Sequence, residues 1–303
     1  MIFLKGMAMG AADVVPGVSG GSIALITGIY EKLLDSINDI DLHAFKLLKS
    51  GKFLLFWRKI NGTFLLSLVL GIFTSLVSLA NLLIYLIRVH PIPVWSFFCG
   101  LILISALLIL RDIKRWTAIA FLALPLGIGL AYFITDLTPI SSPNNPFVIF
   151  VSGMIAICAM ILPGISGSFL LLIMGKYEFI LHALTERDMV ILGIFGLGCI
   201  LGLLSFSRLI SWLLKKYHAI TIALLSGFML GSINKIWPWK KVLSYRFSSS
   251  GKQEPFISEN ILPHHFFAAT GEEPYILAAM FAFFIGIVLV IGIERLAFYF
   301  KSS

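Results

Sequence analysis

DVVPGVSGGSIALITGIYE, residues 13 to 31, returns near mid-chain as MILPGISGSFLLLIMGKYE, residues 160 to 178. The two stretches align without a gap at a spacing of 147 positions. Nine of the 19 positions are identical: Pro16, Gly17, Ser19, Gly20, Leu25, Ile26, Gly28, Tyr30 and Glu31 meet Pro163, Gly164, Ser166, Gly167, Leu172, Ile173, Gly175, Tyr177 and Glu178. Both stretches are apolar, and both are broken at the centre. Proline withholds a backbone donor and clashes with the preceding turn, while glycine adds backbone freedom, so neither reads as one continuous helix. The pattern predicts that residues 6–34 and 147–184 each divide into two shorter helices around PGVSGG or PGISGS. Each is then a re-entrant hairpin or a tight pair of spans. Either way the chain returns to the side it came from.

The rest of the chain has the composition of a polytopic membrane protein. Of 303 residues, 59% are hydrophobic and 13% charged, and the mean hydropathy is +0.99, outside the range of soluble domains. Lys and Arg number 23 against 15 Asp and Glu, a formal net charge of +8. These bases sit mainly in short segments between apolar runs, where orientation signals sit, so the implied partner is a membrane and not a nucleic acid. The start, MIFLKGMAMGAADVVPG, has no charged segment ahead of an unbroken apolar one, and no cleaved signal peptide is expected. Cys99, Cys158 and Cys199 lie in apolar runs without zinc spacing and read as small buried hydrophobes. No metal and no cofactor are implied.

Six runs are apolar enough to cross about 30 Å of hydrocarbon: 62–87, 94–110, 117–135, 189–214, 219–236 and 275–293. Weaker similarity links them at a spacing of 127, with Leu70-Gly71 facing Leu197-Gly198, Ser78 facing Ser205 and Gly100 facing Gly227. The expected fold is therefore all-α and built of two repeats, residues 1–146 and 147–303, each a broken hairpin followed by three spans. A hairpin crosses an even number of times and three spans an odd number, so the second repeat enters from the opposite side, an inverted topology. Lys46, Lys49, Lys52, Arg58, Lys59, Arg111, Lys114, Arg115, Lys215 and Lys216 all fall on one side, which is then cytoplasmic along with both termini. TDLTPISSPNNP, residues 135–146, has no Lys or Arg and falls outside. The loop 237–274 also lands outside although it carries Lys240, Lys241, Arg246 and Lys252, which Glu254, Glu259, Glu272 and Glu273 offset. Residues 41–60 mix bases with Leu, Phe and Trp and predict one interfacial amphipathic helix. Gly198 with Gly202 and Gly227 with Gly231 predict close helix packing.

A break in a membrane helix survives only where it is buried in protein or lines a wet cavity, so two breaks imply a polar site near mid-membrane. The half-helices that begin near Ser19, Gly20, Gly21 and Ser22 and near Ser166, Gly167 and Ser168 offer N–H groups without internal partners, hydroxyl donors, and glycines that admit a phosphate. The competing reading is that Pro and Gly only make tight turns. Asp13, Arg208, Glu31, Glu178 and Glu294 stand out as ionisable residues within apolar stretches, each costly there. Arg208 reads either as a phosphate ligand or as a side chain snorkelling to the surface. Asp13, Glu31 and Glu178 are candidates for proton coupling, and Met160 stands where the second repeat would carry Asp13's counterpart.

KGMAMGAADVVPGVSGGSIALITGIYE, residues 5–31, together with the second PGISGS, resembles the polyprenyl-phosphate transporter family over essentially the whole chain. The resemblance implies a lipid flippase that returns undecaprenyl phosphate from the outer to the inner leaflet of the bacterial cytoplasmic membrane for envelope synthesis. The implied partners are that lipid, the membrane and, with no constraint from the residues, a second copy of the chain. The residues alone reach only an inverted-repeat transporter of an anion, so a small-anion transporter stays open. An integral-membrane lipid phosphatase is the enzymatic alternative, but His43, His90, His182, His218, His264 and His265 lie mainly at span ends or in loops, and no catalytic set is assigned.

Overall fold

The computed structural model describes residues 1–14, 19–137, 140, 142–247 and 253–302. The Pro16-Gly17 break itself therefore lies outside the described residues. The first copy of the doubled motif opens with three short helices, α1 (Ile2–Val14), α2 (Gly20–Ile26) and α3 (Tyr30–Asn38). The second opens in the same way with α10 (Pro146–Ile161), α11 (Gly167–Ile173) and α12 (Tyr177–Thr185). Three helices stand where two were expected, because each stretch breaks again at a glycine in the left-handed region, Gly28 (φ +67°) and Gly175 (φ +65°). At the second of these α11 and α12 are bent by 108°.

Next along the chain lie α4 (Leu42–Lys49) and α5 (Phe53–Lys59). The single amphipathic helix expected over 41–60 is thus two, divided at Gly51 (φ +74°). Asp41 ties the pair together, since its carboxylate caps α4 by accepting the Ala44 N–H at 2.8 Å and also meets Lys59 Nζ at 2.9 Å. Next come α6 (Gly62–Ser78), α7 (Ala80–Val89), α8 (Pro91–Arg111) and α9 (Ala118–Asp136). The run 62–87 is consequently divided at Leu79. Thr74 and Ser78 hydroxyls donate to the carbonyls of Leu70 and Thr74, four residues back, a pattern that weakens and bends a helix. Its counterpart α13 (Met189–Lys216) has Ser205 but leucine at the position facing Thr74, and runs unbroken for 28 residues.

The second repeat continues with α14 (His218–Ile236), a β-hairpin of β1 (Lys240–Phe247) and β2 (Gln253–Asn260), α15 (Pro263–Thr270) and α16 (Ile276–Ser302). The strands pair antiparallel from Lys240 opposite Asn260, so the segment 237–274 adds a small sheet to an otherwise helical chain. Among the described residues four helices, α8, α9, α13 and α14, are long and apolar enough to cross a membrane, and up to six spans result if the bent pairs α5–α6 and α11–α12 each count as one. Residues Ile276–Gly292 of α16 form a shorter apolar helix.

Glycine contacts set how the helices pack. A Cβ on Gly71 of α6 would overlap the Phe3 carbonyl of α1, and one on Gly198 of α13 the Phe150 carbonyl of α10. In return, Gly6 sits on the Leu68 carbonyl and Gly153 on that of Phe195. Two further pairs, α8 with α16 and α9 with α14, pack in the same way. Gly100 of α8 meets the Phe283 carbonyl of α16 and Gly286 that of Phe97, while Gly227 of α14 meets the Leu124 carbonyl of α9 and Gly127 that of Leu224. These contacts let backbones approach where lipid offers no hydrophobic drive to helix association. About half of α8 and more than half of α14 is buried, whereas α9 and α13 leave most of their length outward. One core, including Ala24, Leu34, Ile102, Leu225 and Met229, draws on both halves.

Candidate functional site

The second break is built from the chain's own constraints. α10 stops at Ile161, and Leu162, extended at φ −69° and ψ 128°, takes the conformation that a following proline requires. Gly164 then turns at φ +84°, and a Cβ there would also come within 2.9 Å of the Phe228 carbonyl of α14. Only glycine meets both demands. Ser166, extended, precedes α11. In the first half Ser19 holds the same place before α2, and its Oγ accepts the Gly21 N–H at 3.1 Å.

The start of α2 and of α3 meets the end of α10 and the second break. Ser19 Oγ donates to the Met160 carbonyl at 3.2 Å, Tyr30 Oη donates to the Ile161 carbonyl at 3.0 Å, and the Gly164 N–H donates to Ser22 Oγ at 2.9 Å. The end of α10 leaves carbonyls without intrahelical donors, and Ser19 and Tyr30 supply them. Gly21 leaves room for this approach, since a Cβ would lie 2.7 Å from the Ile161 carbonyl. Ser19, Gly20, Gly21, Ser22 and Tyr30 are all buried.

Asp13 occupies the start of α2. Its Oδ1 accepts the Gly20 N–H at 2.7 Å, and a Cβ on Gly20 would lie 2.7 Å from Oδ2. A carboxylate thus fills the place where the sequence put an external phosphate. The second break differs. Met160 stands in the position of Asp13, and the buried Gly167 packs on its side chain and on the Ala156 carbonyl. Ser166 and Ser168 hydroxyls lie 2.8 Å apart, Ser168 is exposed, and Ser166 does not cap α11. The second break thus presents a pair of hydroxyls.

The remaining predicted residues lie elsewhere. Arg208 is on the exposed face of α13 and lines an open cleft with Asn38, Ser211, Trp212, Lys215 and Lys216, none of them from either break. That end of α13 is fastened to α3: Ser207 donates to Asn38 Oδ1 at 2.8 Å, and Asp35 Oδ1 takes Ser211 at 2.9 Å and Lys215 at 2.7 Å. Glu31 is exposed, 3.5 Å from His218 Nε2, and Glu178 is exposed in the first turn of α12. Glu294 pairs with Arg111. Among the described residues no group of three or more His, Cys, Asp or Glu is placed to hold a metal.

Two lysines that the sequence does not mark as site residues tie these helices together. Lys5 Nζ donates to the Thr27 carbonyl at 2.6 Å, bringing the end of α2 beside the start of α1. Lys176, fully buried, donates to the Ser142 carbonyl at 2.6 Å and to Asn144 Oδ1, just ahead of α10. Ile140 N–H also donates to the Ile173 carbonyl at 2.8 Å. Both lysines are single charges inside apolar stretches, which was the available signal. Lys235 goes unmarked in the sequence, and Lys240 is read there only as a loop charge. Their ammonium groups lie over the rings of Phe169 (4.2 Å) and Trp95 (5.7 Å).

Comparison with known proteins bears on this arrangement. Residues 9–254 match the family described as undecaprenyl phosphate translocase-like. A polyprenyl-phosphate transporter of Vibrio cholerae serotype O1 is 48% identical over 295 residues, covering 97% of this chain and 96% of that protein. A polyprenyl-phosphate transporter of Staphylococcus aureus is 35% identical over 253 residues, covering 78% of this chain and 85% of that one. No solved structure matches.

Proposed function

The chain belongs to the undecaprenyl phosphate translocase-like family, and from that premise we propose that it carries undecaprenyl phosphate from the outer to the inner leaflet of a bacterial cytoplasmic membrane. Transport of polyprenyl phosphate is the function that both relatives' names carry. The observation that supports it most in this chain is the contact of the start of α2 with the second break, buried polar groups brought together from positions 142 apart. A lipid phosphate needs polar groups at that depth, and a pair of turns serving only to reverse the chain does not need to touch.

The repeats have inverted topology in this reading. The matched glycine contacts and the exchange of α8–α16 for α14–α9 support it, as do the lysine ties that return each hairpin to its own side. Both termini and the cleft around Arg208 are then cytoplasmic.

A phosphomonoester carries about −1.5 to −2 charges near neutral pH. Moving it inward against an inside-negative potential costs about 2.3 kcal/mol per charge per 100 mV. Asp13 is the proposed coupling residue. Ionised, it holds the Gly20 N–H; protonated from outside, it loosens that grip and offsets a moving charge, and its proton leaves inside. Ser166 and Ser168 contact the phosphate during passage, and Arg208 with Lys215 and Lys216 receives it at the cytoplasmic cleft. Glu31, beside His218, and Glu178 are the alternative proton carriers.

Leaflet-specific detection of undecaprenyl phosphate in cells with and without the protein tests the function. Accumulation in the outer leaflet on its loss is expected; an unchanged distribution contradicts it. Release of inorganic phosphate from labelled lipid in proteoliposomes would replace translocation with hydrolysis.

A further inference from the structure

Beyond the junction of the breaks, α14 ends in a pair of cations that the transport reading has not used. Lys235 lies in its last turn and Lys240 opens β1. Both are half-buried, and among the described residues neither pairs with a carboxylate. Lys240 Nζ donates to the Lys235 carbonyl, an ordinary cap for a helix C-terminus. No such role accounts for Lys235, whose ammonium has three donors and, among the described residues, lies over the face of Phe169.

The surroundings hold this pair in place. Asn260 Nδ2 donates to the Asn234 carbonyl at 2.8 Å and to its Oδ1 at 2.7 Å, fixing β2 on the end of α14. Trp237 and Trp239 indole N–H groups donate to the carbonyls of Ile261 and Pro274, each at 2.9 Å, and anchor the segment that follows. Tryptophans at this level mark the interface where lipid headgroups lie. Two lysine charges drawn together without an acid are costly, and burial followed by the charge of Lys235 pushes the Lys240 ammonium down to about 8. A bound anion removes that cost.

The pair also borders the second break. Phe169, under Lys235, is next to Ser168, and Gly164 packs against Ser232 of α14, one turn before Lys235. We propose that Lys235 and Lys240 form a capture site for a phosphomonoester at the outer end of α14, from which the headgroup passes to Ser166 and Ser168. The aromatic faces of Trp95 and Phe169 hold the ammonium groups in place, and the phosphate bridges them by charge-assisted hydrogen bonds. The proposal rests on the lipid-transport reading for the identity of the ligand, and its chemistry fits free phosphate equally.

Full-length protein in nanodiscs, titrated with undecaprenyl phosphate, undecaprenol and inorganic phosphate, separates these cases. The variants are Lys235→Gln, Lys240→Gln, the charge-preserving Lys235→Arg, and Lys241→Gln at the exposed neighbour. The lipid phosphate should bind wild type and the alcohol should not, and each loss of charge at 235 or 240 should weaken binding about tenfold. Lys235→Arg and Lys241→Gln should stay close to wild type. Equal affinity in both Gln variants overturns the capture site and leaves translocation standing. Lysine-dependent binding of inorganic phosphate alone keeps the anion site but removes its lipid ligand, and with it the transport reading. No binding of either ligand overturns the site, while the leaflet assay still decides the transport reading. Should the Gln variants fail to fold, protection of the wild-type Lys240 amine from acylation by bound lipid phosphate gives the same answer, and lack of protection overturns the proposal.

Discussion

Gly164 and Ser22 stand 142 positions apart, and the Gly164 N–H donates to Ser22 Oγ at 2.9 Å in the buried interior. The bond joins the turn after α10 to the first turn of α2. Ser22→Ala leaves the glycine N–H without that acceptor, at a cost of about 1–3 kcal/mol. Thermal unfolding of purified protein should show the loss together with reduced transport. Unchanged stability would mean that the two breaks are not held by this bond.

Ser166 and Ser168 make the opposite prediction. Their hydroxyls bond each other and Ser168 is exposed, so Ser168→Ala should leave folded yield and unfolding temperature near wild type. Lipid-phosphate binding should fall by a factor of about 3 to 10, the worth of one hydrogen bond. Wild-type binding in the double variant Ser166→Ala with Ser168→Ala would remove the second break from the phosphate's path.

Binding at the outer lysine pair should depend on pH. Lys240 faces Lys235 from α14 and Cys99 from α8, and it is charged below about 8 and neutral above. Affinity for lipid phosphate should therefore hold from about pH 7 up to that value and fall as pH rises through it, toward the level of Lys240→Gln. Lys235→Gln removes the like charge and should move the midpoint upward. A flat profile in wild type would show that Lys240 keeps its proton or makes no contact.

Topology is open to direct labelling. Ser142 donates to the Met174 carbonyl at 2.6 Å, which makes the exposed neighbour Pro143 the better cysteine position. Pro143→Cys and Ser50→Cys should react with an impermeant reagent from opposite sides, with residue 143 outside. Labelling from one side would rule out inverted repeats.

Much of this architecture is legible in the doubled motif. Pro163 and Gly164 end α10 where the sequence placed a break, and four of the six expected runs are the helices α8, α9, α13 and α14. The second breaks at Gly28 and Gly175 escaped because a lone glycine in an apolar run does not announce its φ. Leu79 escaped because the weakening comes from two hydroxyls bonding back, not from a helix-breaking residue. At the site, the serines and glycines of the motif were readable but their partners were not. Asp13 on Gly20, Tyr30 on Ile161 and Ser22 on Gly164 are contacts set by tertiary packing. For the same reason Gly20→Val and Gly167→Val would disturb Asp13 and the Ala156 carbonyl, and would report on packing before phosphate access. Lys235 was hidden by its place at a span end, where a lysine ordinarily snorkels into water.

Proton-coupled inward transport through Asp13 is tested most directly by following undecaprenyl phosphate from outer to inner leaflet in proteoliposomes under an imposed pH gradient, acid outside. The wild-type rate should rise with the gradient, and Asp13→Asn should carry the lipid at a rate that ignores it. Wild-type transport indifferent to both the pH gradient and the membrane potential would contradict coupling and leave exchange driven by the lipid's own gradient.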